Sequence, residues 1–164
     1  MVVITSQIPS YEIVDEDLQS NIHFDTLMDI TASEYEVSDE VGDISDLRFM
    51  VNLKTLNIPD ASNITDYSVL YNMPSIERLT IRNAKELEDA SFLSSLVNLQ
   101  YLNIEGSRID DLSMLEDNLS ITELVLENNE TLYDYTFLEY LPSLKKLILT
   151  TVQDAKIPDL SQHK

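Results

Sequence analysis

The sequence predicts an α/β solenoid: a right-handed stack of short coils, each made of a β-strand, a turn and a 3₁₀ or short helical return. The strands line up as a parallel sheet on the concave face, and the returns lie on the convex face. Two observations carry this prediction. An apolar-x-x-apolar-x-apolar triad recurs at Leu53/Leu56/Ile58, Ile76/Leu79/Ile81, Leu99/Leu102/Ile104, Ile121/Leu124/Leu126 and Leu144/Leu147/Leu149, so the units are 23, 23, 22 and 23 residues long. Between triads the spacing changes to every third residue, as in Leu87, Ala90, Leu93 and Leu96, or Leu132, Tyr135, Leu138 and Leu141. Alternation belongs to a strand, whereas a three-residue step suits a 3₁₀ turn. One such coil cannot bury its apolar edge alone, so the units stack over a continuous core.

Each element has a local reason. With glycine only at positions 42 and 106, the turns rely on Asn, Asp and Ser, in the stretches PDASN, RNAKE, EGSR and ENNE. The set Ile109, Leu112 and Leu115 repeats the three-residue step, and Asn118 is its one polar member. Leu27, Ile30 and Ala32 imitate a degenerate strand 26 residues before Leu53. Upstream, Ser10 or Asp15 as helix N-caps and Tyr11, Val14, Leu18 and Ile22 at three- and four-residue steps suggest a helical cap. The expected organisation is one structural domain: a cap over 1–26, one degenerate and five regular repeats over 27–150, and a tail or partial cap over 151–164.

The stretch VGDISDLRFMVNLKTLNI at 41–58 gives the fullest version of the repeating pattern. It resembles the 22-residue leucine-rich repeat of the bacterial internalin family, and the resemblance runs over residues 27–150. It implies a non-enzymatic protein-recognition module of a surface or secreted bacterial protein, associated with virulence, that binds a protein, such as a host or cell-surface protein, through the concave sheet. A spacer or stalk within a larger surface protein is the alternative. The chain departs from the family at the ninth repeat position, where Asn often bonds the turn backbone: here it reads Ala61, Ala84, Ser107, Asn129 and Val152. A small side chain in the turn, with an extra residue in the 23-residue units to satisfy the backbone, is the expected substitute. Because internalins commonly continue into an immunoglobulin-like region, the C-terminal end is expected to belong to an excised repeat domain, to be covered by its tail, or to support dimerisation.

Composition narrows the partners. Ten Lys and Arg against 30 Asp and Glu give a formal charge of −20, which repels nucleic acid and anionic membrane surfaces. No apolar run approaches the ~20 residues of a membrane span. The chain has no Cys, which removes disulfides, thiolate metal sites and cysteine nucleophiles. The start, MVVITSQIPS, lacks the basic and apolar regions of a signal peptide. The protein is therefore cytoplasmic if Met1 is the native start, and extracellular or surface-bound if this is a mature segment.

Candidate binding residues follow from strand arithmetic, since positions 3, 5 and 7 of each unit face away from the core. On the concave face these are Thr55, Asn57, Arg78, Thr80, Arg82, Tyr101, Asn103, Glu105, Glu123, Val125, Glu127, Lys146 and Ile148. Tyr and Arg are favoured interface anchors; the competing expectation is that Arg and Glu merely neutralise one another across strands. Val125 and Ile148 form an adjacent apolar pair that either anchors a ligand or is covered by the tail, cover being the expectation. No catalytic set, cofactor or metal site is expected. The only histidines are His23 and His163, and the acidic stretch EYEVSDEVGD at 34–43 lacks the spacing of a calcium loop and reads as a solvated acidic cap loop. The N-x-S/T triplets at Asn63, Asn118 and Asn129 are common in Asn-rich turns.

Overall fold

The computed structural model describes the backbone of Val2–Val3 and Glu12–Ile13, and residues 33–161. The first two segments, β1 (Val2–Val3) and β2 (Glu12–Ile13), pair antiparallel. Otherwise the predicted helical cap, with Tyr11, Val14, Leu18 and Ile22, lies outside the described residues. Among the described residues one parallel sheet follows in strict chain order: β3 (Glu34–Glu36), β4 (Thr55–Ile58), β5 (Arg78–Ile81), β6 (Tyr101–Glu105), β7 (Glu123–Glu127) and β8 (Lys146–Leu149). Between strands the chain returns through 3₁₀ helices at Ser45–Phe49, Ser68–Asn72, Ser91–Ser95, Ser113–Leu115 and Thr136–Tyr140.

The register makes the repeat physical. Leu56, Leu79, Leu102, Leu124 and Leu147 are direct ladder partners, as are Ile58, Ile81, Ile104, Leu126 and Leu149. The first four members of each row are fully buried, at ~1.5–3 kcal/mol each for an aliphatic side chain taken from water. Beneath them the three-residue steps pack the returns: Ile44, Leu47 and Met50; Tyr67, Leu70 and Met73; Ala90, Leu93 and Leu96; Tyr135, Leu138 and Leu141 are all buried. The last layer differs, since Leu147 and Leu149 are only half-buried; Ala155 and Leu160 of the tail likewise pack, partly buried, against the core. Through Lys156 the tail also forms a parallel bridge to Asp134.

Among the described residues the strand that pairs with β4 on its N-terminal side is Glu34–Glu36, with Tyr35 opposite Leu56; Leu27, Ile30 and Ala32, where the sequence reading puts a degenerate strand, lie outside the described residues. The acidic stretch at 34–43 thus opens with a strand instead of being loop throughout. Its core-facing residues are Tyr35 and Val37, the latter fully buried, and the flanking glutamates disguise their alternation.

Each return begins with the same device. The side chains of Asp43, Asp66, Asp89, Asp111 and Asp134 accept the backbone N–H of Ser45, Ser68, Ser91, Ser113 and Thr136 at 2.7–2.9 Å, satisfying a donor that a helix start leaves open. Asp159 and Ser161 repeat it in the tail.

The turn leaving each strand solves a second accounting problem. Its eighth position takes a left-handed conformation at Asn83, Gly106 and Asn128, with φ of 54°, 67° and 57°, as Gly and Asn permit. In the 23-residue units the turn then closes on its own backbone: Ile64, Leu87 and Leu132 donate to the carbonyls of Ala61, Ala84 and Asn129 at 2.9–3.2 Å. Ala61 and Ala84 donate onward to Arg82 and Glu105 of the next coil, so alanine needs no amide side chain there. The 22-residue unit lacks a residue after Ser107, and side chains make up the difference. Asn129 Oδ1 accepts the backbone N–H and hydroxyl of Ser107 at 3.0 and 2.7 Å, and its Nδ2 donates to Ile104 at 3.0 Å. In the same unit Asn118 Oδ1 accepts the N–H of Ser120 and Ile121 at 2.9 and 3.1 Å, which explains a polar residue in an apolar column.

Two outcomes follow. Replacing Asn129 by Ala strands buried donors and an acceptor, so chemical denaturation should show a loss of about 2–3 kcal/mol, while Asn63→Ala at an exposed turn costs little. Acid should act through the return caps. Hydrogen bonds from Ser68 hold the Asp66 carboxyl below its ordinary range, Ser91 does the same for Asp89, and Thr136 lowers Asp134 to about 2. A carboxyl lowered on folding stabilises above its unfolded pKa and loses that contribution as pH falls through the folded one, between about 4 and 2. In Asp66→Asn the acceptor remains but cannot titrate, so the thermal-midpoint advantage of the native chain over this variant should shrink as pH falls below the ordinary carboxylate range and stay flat from about pH 5 to 7.

Candidate functional site

The sheet places one column of side chains per repeat position on its outer face. Column 3 runs Glu34, Thr55, Arg78, Tyr101, Glu123 and Lys146, and column 5 runs Glu36, Asn57, Thr80, Asn103, Val125 and Ile148. Glu105 pairs with Glu127 across column 7, and Arg82 follows β5 at the same level. Glu34 and Glu36, which sequence reasoning missed because it read 34–43 as an acidic loop, extend both columns by one coil.

Cross-strand contacts organise these columns. The Arg78 guanidinium lies over the Tyr101 ring, 4.2 Å from its centroid. Arg82 Nε stands 3.7 Å from Glu105 Oε2, and Lys146 Nζ stands 3.3 Å from Glu123 Oε2. Asn128 Nδ2 reaches Glu105 Oε1 at 3.5 Å, and Asn57 donates to Glu36. Such pairs are exposed to solvent, where they contribute little stability. Their effect is to order long side chains on the outer face.

The face is uneven in what it offers. Arg78, Arg82, Lys146 and Ile148 are exposed, and Thr55, Asn57, Thr80, Tyr101, Glu105, Glu123 and Glu127 are half-buried. Asn103 and Val125 are buried, with 5% and 6% of their surface accessible. They are neighbours on β6 and β7, flanked on the same face by Tyr101, Glu105, Glu123 and Glu127. Of the apolar pair, Val125 is therefore covered while Ile148 keeps 38% exposure. Asn103 Oδ1 has no hydrogen-bond partner, an arrangement that costs free energy in a buried site.

A second feature repeats on the rim where the chain enters each strand. Two residues before the first apolar position of every unit stand Val51, Pro74, Val97, Leu119 and Pro142, all exposed. Val51, Val97 and Leu119 show 63–66% of their surface. Periodicity alone does not single this column out, because a repeating apolar position reads as core; its place in a turn beside Asn or Ser is the signal that separates it.

For chemistry the arrangement provides little purchase. Among the described residues no group of His, Cys, Asp or Glu is placed to hold a metal ion, and no helix is long and apolar enough to cross a membrane. His23 and His163 lie outside the described residues.

The orphaned amide gives a direct check of the face's energetics. Asn103→Val continues the column of Val125 with a β-branched residue and removes the unpaired oxygen, so stability should rise by about 1 kcal/mol in denaturant titration. A loss would mean that this oxygen is bonded in solution.

No family model matches the chain, and no curated protein does. Solved structures do. An internalin (inlF) from Listeria monocytogenes is 27% identical with a TM-score of 0.66, over 74% of this chain and 35% of that one. Internalin C2 (inlC2) from the same organism is 28% identical with a TM-score of 0.62, over 73% of this chain and 50% of that one. The chain thus spans between about a third and a half of the length of these structures. The shared architecture agrees with the ladder of leucines, the 3₁₀ returns and the unit length of 22 or 23 residues: the chain is an internalin-like leucine-rich-repeat solenoid.

Proposed function

We propose that the chain is a non-enzymatic protein-recognition module of a surface or secreted bacterial protein, and that it binds its protein partner through the concave sheet face. The observation that supports this reading is the pre-ordered set on the outer columns: Arg78 stacked on Tyr101, Arg82 held by Glu105, and Lys146 held by Glu123. Binding normally costs ~0.5–1.5 kcal/mol for each long side chain it immobilises. Here cross-strand partners and a rigid sheet restrict those side chains beforehand. The core lies on the opposite side of each strand, so the outer positions can vary in recognition without disturbing the fold.

The test uses a partner selected from a displayed library of host extracellular domains. Simultaneous replacement of Arg78, Tyr101 and Glu123 by Ala should weaken its binding by at least ~100-fold, as expected where a few anchors dominate. Alanine at the exposed convex residues Tyr133 and Tyr140 should change it less than ~3-fold, within the ordinary effect of surface substitutions. Equal affinity of the triple variant and the native chain, with unchanged thermal midpoints, would refute the concave assignment.

A further inference from the structure

Among the described residues, Asn103 Oδ1 is the only buried side-chain oxygen on the parallel sheet without a hydrogen-bond partner. The residue sits on the outer face of β6 with 5% of its surface accessible, so strand alternation directs its amide away from the leucine core. Acceptors dominate its surroundings. β6 and β7 read YLNIE and ELVLE and carry no Lys or Arg. On their outer face Glu105 stands directly opposite Glu127, Glu123 opposite Tyr101, and Val125 beside Asn103. An ionised carboxylate accepts hydrogen bonds and donates none, and like charges facing each other across a ladder repel. Glu105 is partly compensated by Arg82 at 3.7 Å and Asn128 at 3.5 Å, and Glu123 by Lys146 at 3.3 Å. The Glu127 carboxylate has neither a cation nor a hydrogen-bond donor among the described residues. The patch is thus short of donors and of positive charge.

From this juxtaposition we infer that Asn103, Glu105 and Glu127 form a subsite for the guanidinium of an arginine on the protein partner. The inference rests on the concave reading of function and adds to it the kind of side chain that β6 and β7 receive. A guanidinium matches the patch in three respects. It supplies five N–H donors in one plane, enough for the Asn103 oxygen and the two carboxylates of column 7. Its charge relieves the repulsion between Glu105 and Glu127. Its methylene stem can lie along Val125 and the Tyr101 ring while the charged head meets the acceptors. A metal ion does not match, because among the described residues no group of carboxylates is placed to hold one. The terminal torsion of an asparagine is broad, so Oδ1 can turn to an incoming donor without any change in the strand. The stability that Asn103 forgoes relative to valine then has a purpose: its oxygen is satisfied in the complex, where the arginine supplies the missing donor.

An NMR titration of the whole chain with N-acetyl-arginine amide tests this, with N-acetyl-citrulline amide, a neutral molecule of nearly the same shape, as the control. The arginine probe should shift the Asn103 side-chain amide and the backbone signals of Glu105 and Glu127 along one saturable curve, with a dissociation constant on the order of 10 mM at low salt. Citrulline should leave these signals in place. Asn103→Val and Glu127→Gln should each weaken the probe at least ~5-fold with the thermal midpoint preserved or raised. An equal response to arginine and citrulline overturns the inference. So does an arginine response spread evenly over the acidic surface, or one that neither substitution weakens. The partner selected from the displayed library separates this subsite from the concave reading itself. If that partner loses affinity when Arg78, Tyr101 and Glu123 are replaced together but binds Asn103→Val and Glu127→Gln unchanged, the concave reading stands and the arginine subsite falls.

Discussion

Everything in this molecule depends on one row of leucines meeting its neighbour above and below. A single coil exposes one side of Leu79 whatever its conformation. Only when Leu56 and Leu102 lie in register on either side does that side chain lose its water. The favourable term therefore sits between units and scarcely at all within them, which makes the fold nearly one-dimensional. The half-buried Leu147 and Leu149 show the same rule at the last coil, where a layer with one neighbour keeps part of its surface wet.

The stack must also accommodate units of unequal length without losing that register. Strand and return are fixed by the leucine ladders and by the aspartate caps, so the variable residue falls in the turn after the strand. A 23-residue unit spends its extra residue on a backbone hydrogen bond, whereas the 22-residue unit borrows the Asn129 amide from the next coil. Two chemistries thus produce one geometry. The left-handed residues Asn83, Gly106 and Asn128 give the strand exit the same turn in a unit of either length.

Most of this was legible in the sequence because the fold repeats its signal. Five triads in phase identify the parallel sheet, and the three-residue steps identify the returns. Asn129, as the only asparagine in its column, hints at a special turn, and the backbone substitute used by Ala61 and Ala84 agrees with the expected role of the extra residue. Signals that occur once were harder to read. The strand β3 hides between Glu34 and Glu36, where charge masks the alternation of Tyr35 and Val37. Burial on the outer face was also illegible, because Asn103 and Val125 occupy the same arithmetic positions as exposed Arg78 and Ile148 and differ only in how tightly neighbouring columns close over them. The rim stripe escaped notice because hydrophobic periodicity does not record which side of a turn faces water.

The way unequal units are reconciled bears on how such a chain can change over generations. An insertion within a strand would shift every later side chain to the wrong face. One placed just after the strand meets a turn that already exists in a longer and a shorter form, each with its polar groups satisfied. Genetic drift in repeat length is therefore channelled to that corner, and whole coils can be duplicated or lost there while the spine on either side is inherited unchanged.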